Sequence, residues 1–465
     1  MERFDPQLLA AWTGGTWVDA GREMERALPA RGTAPTGIIG FAIDSRRVVP
    51  GEMFVALTTG QRDGHDYLAA ALAAGAVAAL VSRVQPQRVG DNALPLPQLV
   101  VRDTLAAFQA IAREHRRRFP GPVIGVTGSA GKTSTKELLA LLLGPDTLAT
   151  EGNLNNHLGV PLTLTRLDPA RHRFAVIEAG ISAPGEMKVL ADMIEPDAAI
   201  VTMVGPAHLE ELGGLEGVAR EKALLAQAIR PGGVAIFPPS CREFAAFRGV
   251  RTHLPPWGVK IRPAGESMHL WLAGDTAGEP YVLPVPSEGM AQNAALALLI
   301  ALHFGVPDSE LRARLARWRP AAQRGEIRRE SGRLLYLDYY NANPLSMRDA
   351  LAAFGRLAPP PAPRLFLLGC MEELGGAAER YHRELGEALV LAPADRVIVV
   401  GDWAEAVKAG AVARGAAAEQ IGAAASAAEA APIVEGFAGA IFVKGSRKHR
   451  LETALSRGTP QPAPC

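Results

Sequence analysis

An apolar run, a glycine-rich turn and a helix-forming run follow one another between Val123 and Leu143, and this succession constrains the fold more than any other stretch of the 465 residues. Val123-Ile-Gly-Val reads as a strand, Thr127-Gly-Ser-Ala-Gly-Lys-Thr-Ser as the turn, and Lys136 to Leu143 as a helix. Backbone N–H groups in such a turn converge on an anion at a helix N-terminus. Gly128, Ser129, Ala130, Gly131 and Ser134 would form the cradle, Lys132 would neutralise the β and γ phosphates, and Thr133 would offer its hydroxyl to Mg²⁺. The spacing departs from the usual phosphate-loop pattern: Val126 stands where the first glycine belongs, and Gly125 comes one residue early. The motif implies ATP or GTP and leaves the acceptor of any transferred phosphoryl group open.

Further runs alternate in the same way. Phe174-Ala-Val-Ile and Ala198-Ala-Ile-Val-Thr follow the phosphate loop, which argues for a parallel sheet covered by helices. A later set, Leu334-Leu-Tyr-Leu, Leu365-Phe-Leu-Leu, Arg396-Val-Ile-Val-Val and Ala440-Ile-Phe-Val, predicts an open, doubly wound, Rossmann-like C-terminal domain. The first hundred or so residues mix short apolar runs (37–43, 53–57) with an Ala-rich helical stretch from Tyr67 to Ala79 and then the run Val77-Ala-Ala-Leu-Val, as a small α/β domain would. A chain of this length exceeds one hydrophobic core. The expectation is an α/β protein of three domains, at 1–115, 116–318 and 319–465. The Arg116-Arg-Arg run before Pro120 reads as surface that suits a helix C-terminus, and 358–363 reads as a Pro-rich loop before a strand.

Lys and Arg total 49 against 48 Asp and Glu, a formal charge of +1, which excludes the electrostatic footprint of a nucleic-acid binder. Cys241, Cys370 and Cys465 are too scattered for a disulfide framework, and free thiols in a reducing, cytoplasmic setting are expected. The start lacks a basic segment followed by an apolar one, and runs such as Ala294 to Leu302 are too short to span a bilayer, so no export and no membrane insertion are expected. No interface signature stands out, which makes a monomer the default.

Read together, several motifs resemble the Mur ligase family over nearly the whole chain. They are Asp44-Ser-Arg-Arg-Val-Val-Pro-Gly and Asp63-Gly-His-Asp, the phosphate loop, Gly152-Asn-Leu-Asn-Asn-His-Leu-Gly-Val-Pro, Val176-Ile-Glu-Ala-Gly, Gly205-Pro-Ala-His-Leu-Glu, Gly217-Val-Ala-Arg-Glu-Lys, Leu337-Asp-Tyr-Tyr-Asn-Ala-Asn-Pro, Met371-Glu-Glu-Leu-Gly and Val443-Lys-Gly-Ser-Arg. The 337–344 string is similar to the branch that adds a dipeptide. The resemblance implies ATP and Mg²⁺ as cofactors, with UDP-N-acetylmuramoyl-tripeptide and D-alanyl-D-alanine as the molecules joined through an acyl phosphate. It implies an N-terminal domain that binds the uridine nucleotide at Ser45 and Arg46, a central ATP-binding domain, and a C-terminal domain that binds the dipeptide. Asn153, Asn155 and Asn156 would face substrate, and Tyr340, Asn341 and Asn343 would lie near the dipeptide. Glu178 and His208 would associate with the metal, as would Lys222 as a carbamate. Asn293, Arg324 and Asp338 would meet the nucleotide, and Lys132, Lys222, His208 and Arg324 would carry the chemistry. Alone, Asp-Ser-Arg before Pro-Gly is more often a capped turn, and imidazole is a poor Mg²⁺ ligand.

The resemblance breaks at definite places. The adenine-side string Gly-x-His-Asn-x-x-Asn-Ala is Ser287-Glu-Gly-Met-Ala-Gln-Asn-Ala here, so Gly289 and Met290 replace the usual His and Asn. Leu337 takes the first place of an Asp-Asp pair, Cys370 stands for an Asp, and Gln323-Arg324 replaces Gly-Arg. No phosphate-loop or metal position is lost, so an active enzyme is expected. Two alternatives are a sister ligase adding a single amino acid, and a relative that binds UDP-sugar and nucleotide without catalysis.

Overall fold

The computed structural model describes residues 4–18, 37–85, 96–250, 258–272, 278–330 and 332–455, with the backbone of two short strands, Arg88–Val89 and Asn92–Ala93. Three sheets carry most of the architecture. At the centre, five parallel strands run in the order Thr147–Ala149, Phe174–Glu178, Val123–Thr127, Ala198–Val201, Val234–Ile236. Every residue of Val123–Thr127 and of Phe174–Glu178 is buried, because helices cover both faces of a parallel sheet and leave no wet side for alternation. On one face lie the helix Lys132–Leu143 and the helix Glu288–His303, whose Ala294 to Leu298 are all buried. The apolar run at 294–302 is thus a core helix, and no helix among the described residues is long and apolar enough to cross a membrane.

A feature with no counterpart in the expectations is an antiparallel three-stranded sheet, Lys260–Ala264, Ser267–Trp271 and Tyr281–Leu283, whose inner residues Met268, Leu270 and Leu283 join the central core. Its strands are short and partly polar, and that weakens their periodic signal.

The C-terminal sheet has six strands, not four, in the order Glu326–Glu330, Arg333–Asp338, Ala440–Lys444, Arg364–Gly369, Arg396–Val400, Ile421–Ala424; the first pairs antiparallel and the rest parallel. The two unexpected strands are its edges. Their exposure admits Arg and Glu in one and Gly in the other, which erases the apolar pattern by which the inner strands are readable. Separate clusters on the two faces, one built around Met347, Phe354 and Val407 and the other around Ala427, Val434 and Leu451, make the domain doubly wound.

The N-terminal sheet runs Thr16–Val18, Gln98–Val100, Ala78–Val81, Glu52–Val55, Gly40–Ala42. Here the helical expectation for Tyr67 to Ala79 needs correction. The helix spans only Leu68–Ala73 and stops before Gly75, whose φ of +104° suits glycine, and Ala78 and Ala79 are fully buried in a strand. Alanine favours helix intrinsically, but burial between strands overrides that preference.

The helix Thr104–Arg118 leads out of this sheet, so residue 116 lies inside a helix: Phe108 and Ile111 pack in the N-terminal core, and Ala112 in the central one. Arg116 is a second correction. It is not surface but wholly buried, donating from Nε to Ile194 O at 2.8 Å and from Nη2 to Glu195 O at 2.8 Å and Asp197 Oδ2 at 2.7 Å.

Candidate active site

The strand Val123–Thr127 is the middle of the central sheet, and the chain leaves it for one side and later continues on the other. Such a switch point opens a crevice at the carboxyl ends of the strands, where the phosphate loop sits. Gly128 has φ of +150° and Gly131 φ of +79°, and Gly131 caps the helix Lys132–Leu143 from the left-handed region. Thr202 donates to Ala130 O at 2.5 Å, while the Ser129 hydroxyl and the Gly205 backbone are joined at 2.9 Å. The loop is therefore braced by the neighbouring strand end. Lys132 donates to Gly128 O at 2.8 Å, and burial depresses its pKa, with Glu178 opposing.

The strand Phe174–Glu178 delivers its carboxylate beside that lysine. Glu178 Oε1 accepts from Asn155 Nδ2 at 2.7 Å, its backbone N–H is held by Thr150 Oγ1 at 2.9 Å, and Oε2 is buried with no hydrogen-bond partner among the described residues. A buried carboxylate oxygen left open, with the Thr133 hydroxyl in the first turn of the helix after the loop, is the kind of donor set a hard divalent cation uses when it shares phosphate oxygens with a protein. Among the described residues no group of three or more His, Cys, Asp or Glu could hold a metal alone.

Lys222, on the helix Leu215–Gln227, is 1% exposed and its pKa is driven well below the usual lysine value by burial and then by Lys132. His208 has φ of +52°, and its Nδ1 lies 2.5 Å from Glu373 Oε2. That distance suits an ion pair, yet Nδ1 forms no aligned hydrogen bond, so the contact is close but not directional. Burial lowers the imidazole pKa despite Glu373. The Glu373 partner comes from the C-terminal domain, and the Met371-Glu-Glu motif was the only sequence signal for it.

The C-terminal domain closes the other side of a cleft of about 800 Å3. Arg324 lies over the Tyr340 ring, 3.9 Å from its centroid, with Arg447 5.7 Å away. Asp338 pairs with Lys444 at 2.6 Å, and Lys444 also donates to Asn341 O at 3.2 Å; Lys444 is 1% exposed and belongs to the site more firmly than its short motif suggested. Gln323 adopts φ of +65°, a region where glycine is at ease, so the usual glycine there has a physical reason. Asn343 caps the helix Pro344–Leu357 through Ser346 N at 2.9 Å and donates from Nδ2 to Ser129 O at 3.2 Å. Both ends of its amide are thus engaged by protein, which gives it a capping and domain-joining part.

The expected residues do not all converge. Asn153, Asn155, Asn293, Tyr340 and Asn341 border the cleft, and a Cβ on Gly131 would stand 2.3 Å from Asn293 Nδ2. Asn156 also borders it, but its Oδ1 is taken by the backbone that leads into the helix Gly159–Leu164, accepting from Leu158 N at 3.1 Å and Gly159 N at 2.9 Å. Ser45 and Arg46 are not among the cleft residues. Ser45 is buried in a short turn capped by Asp44, and Arg46 forks onto Asp44 at 3.0 and 2.7 Å, holding that carboxyl down to about 2. Cys370 is buried, and its thiol is pushed up to about 11.

Three segments match known families: residues 38–116 the Mur ligase family catalytic domain, 126–257 the Mur ligase middle domain, and 323–447 the Mur ligase glutamate ligase domain. The UDP-N-acetylmuramoyl-tripeptide–D-alanyl-D-alanine ligase of Escherichia coli is 35% identical over 78% of this chain and 81% of its own length, and the Bacillus subtilis ligase of the same name is 31% identical over 81% and 83%. A crystal structure of MurF from Acinetobacter baumannii superposes with a TM-score of 0.82 at 30% identity, covering 98% of both chains. MurF ligase from Thermotoga maritima in complex with ADP gives 0.74 at 26% identity over 90% of this chain and 96% of that one.

Proposed function

Since this chain belongs to the Mur ligase family, we propose that it joins D-alanyl-D-alanine to UDP-N-acetylmuramoyl-tripeptide with ATP, the activity for which its E. coli and B. subtilis relatives are named. One observation carries the reading to this chain. The phosphate loop, Glu178 and the 338–343 string meet across one cleft, with Asn343 of that string bonded to Ser129 of the loop.

A carboxylate acylates an amine at neutral pH only after one of its oxygens becomes part of a leaving group. The terminal carboxylate of the tripeptide would attack the γ phosphorus of ATP, ADP would leave, and an acyl phosphate would form. Lys132 would exchange its bond to Gly128 O for phosphate oxygens and spread the charge of the transferred group, the main catalytic demand in such transfers. Thr133 and Glu178, and Lys222 if carbamylated, would hold Mg²⁺, which supplies further neutralisation of the phosphates. Burial lowers the Lys222 pKa and so favours the free amine, the form that would react with CO₂. The dipeptide amine would then attack the acyl carbon and expel phosphate. His208, whose pKa burial lowers, is the cleft imidazole that would accept the amine proton. Enclosure of the cleft by the C-terminal domain would keep water from the acyl phosphate.

The test is phosphate release by the purified protein with MgATP, scored with both acceptors, with each alone and with neither. Release that requires both, with UDP-pentapeptide identified by mass, is the expected result. Release without the dipeptide, or none at all, refutes the proposal.

A further inference from the structure

Gly289 and Met290 border the cleft, and the space over Gly289 is filled from the other side of it. Asp349, on the helix Pro344–Leu357, accepts the Gly289 N–H at Oδ1, 2.9 Å away, and the Ser287 hydroxyl at Oδ2, 2.6 Å away. Ser287 in turn caps the helix Glu288–His303 by accepting from Met290 N at 2.9 Å. A Cβ built on Gly289 would lie 3.0 Å from Asp349 Oδ2 and 3.1 Å from its Cγ. A side chain at 289 and this carboxylate therefore compete for one volume. A second bond joins the same two elements: Arg356, further along the Asp349 helix, donates to Pro286 O at 2.7 Å. The helix begins with Asn343 on the phosphate loop, so it spans from the phosphate end of the cleft to the margin formed by Gly289 and Met290, which border it together with Asp349.

We propose that Asp349 is a positioning residue for the nucleotide: its carboxylate occupies the space over Gly289 and clasps the C-terminal domain against the helix Glu288–His303 at the margin of the cleft. This rests on the nucleotide reading of the cleft. The carboxylate is well suited to the part, because it satisfies a free N–H at the positive end of a long helix and adds a charge-assisted bond to a hydroxyl. Closure then needs no side chain at 289.

The experiment compares wild type with Asp349→Ala, Asp349→Asn, Gly289→His and the Gly289→His/Asp349→Ala double variant. Binding of the non-hydrolysable analogue AMPPNP is read by calorimetry, and KM for ATP and for the UDP-tripeptide by steady-state assay. Asp349→Ala is expected to weaken AMPPNP binding and raise the KM for ATP about tenfold, the scale of one charge-assisted bond, with the KM for UDP-tripeptide unchanged. Asp349→Asn keeps an acceptor for the Gly289 N–H and should recover most of that loss. Gly289→His should be impaired alone and should improve when Asp349 becomes Ala, since the collision is then gone. AMPPNP affinity of Asp349→Ala within about twofold of wild type, additive effects of the two substitutions, or an equal rise in the KM of both substrates each overturns the clasp. Failure of wild type itself to bind AMPPNP would instead sink the nucleotide reading.

Discussion

Lys132 shows how far a single residue can be argued. Its place in a glycine-rich turn was readable in the sequence, whereas the positive φ of Gly128 and Gly131, its burial and its bond to Gly128 O are tertiary facts. Lys132→Ala should lower ADP formation by roughly 10³-fold, as loss of a principal charge contact to a transferred phosphoryl group does. Because a desolvated cation is removed, the thermal midpoint should hold or rise, and calorimetry beside the assay checks both.

The cysteines carry a pH prediction. Burial pushes Cys241 up to about 12 and Cys370 up to about 11, against 9.0 when unfolded. For an acid raised on folding, the unfolded chain loses its proton first, so stability is intact below pH 9 and falls as pH rises toward the folded values. Each thiol contributes a slope of up to about 1.4 kcal/mol per pH unit. A Cys241→Ala/Cys370→Ala variant should show a flatter decline in urea midpoint between pH 9 and 11, and an unchanged slope contradicts the argument. Cys465 lies outside the described residues.

Among elements, the readable ones were those buried on both sides. Val123–Thr127, Phe174–Glu178 and the inner C-terminal strands are continuous apolar runs because a parallel sheet is covered on both faces. Edge strands and the three-stranded sheet escaped notice, because they alternate weakly and carry charge. The end of the helix Thr104–Arg118 before Pro120 was readable, but the part played by Arg116 was not: sequence gives no sign that the segment at 194–197 would wrap one guanidinium and leave its neighbour Arg117 paired with Glu195 at the surface. Arg116→Ala should cost about 3 kcal/mol, the scale for breaking a buried ion pair. Denaturation monitored in the central domain measures this; a loss under about 0.5 kcal/mol, as for ordinary surface changes, would place Arg116 among them.

The whole molecule depends on contacts between domains, and Asn343 separates two of its parts. Its Oδ1 caps a helix and its Nδ2 reaches Ser129 O. Asn343→Asp keeps the cap, which is worth about 1 kcal/mol, and loses the donor to the phosphate loop. Stability should stay within about 0.5 kcal/mol, and kcat/KM for ATP should fall about tenfold, the scale of one lost bond near charge. Equal loss of stability and activity would mean that the cap is all it does.

By itself the sequence determined the phosphate loop, the parallel α/β organisation and the family, because these rest on local backbone geometry and on apolar runs that neighbouring residues specify. Tertiary structure alone decided that Glu373 meets His208, that Lys444 pairs with Asp338, and that Asp349 fills the space over Gly289. Each of these joins residues far apart in the chain through side chains of ordinary type. Their significance comes from desolvation and close approach, which exist only once the domains have packed.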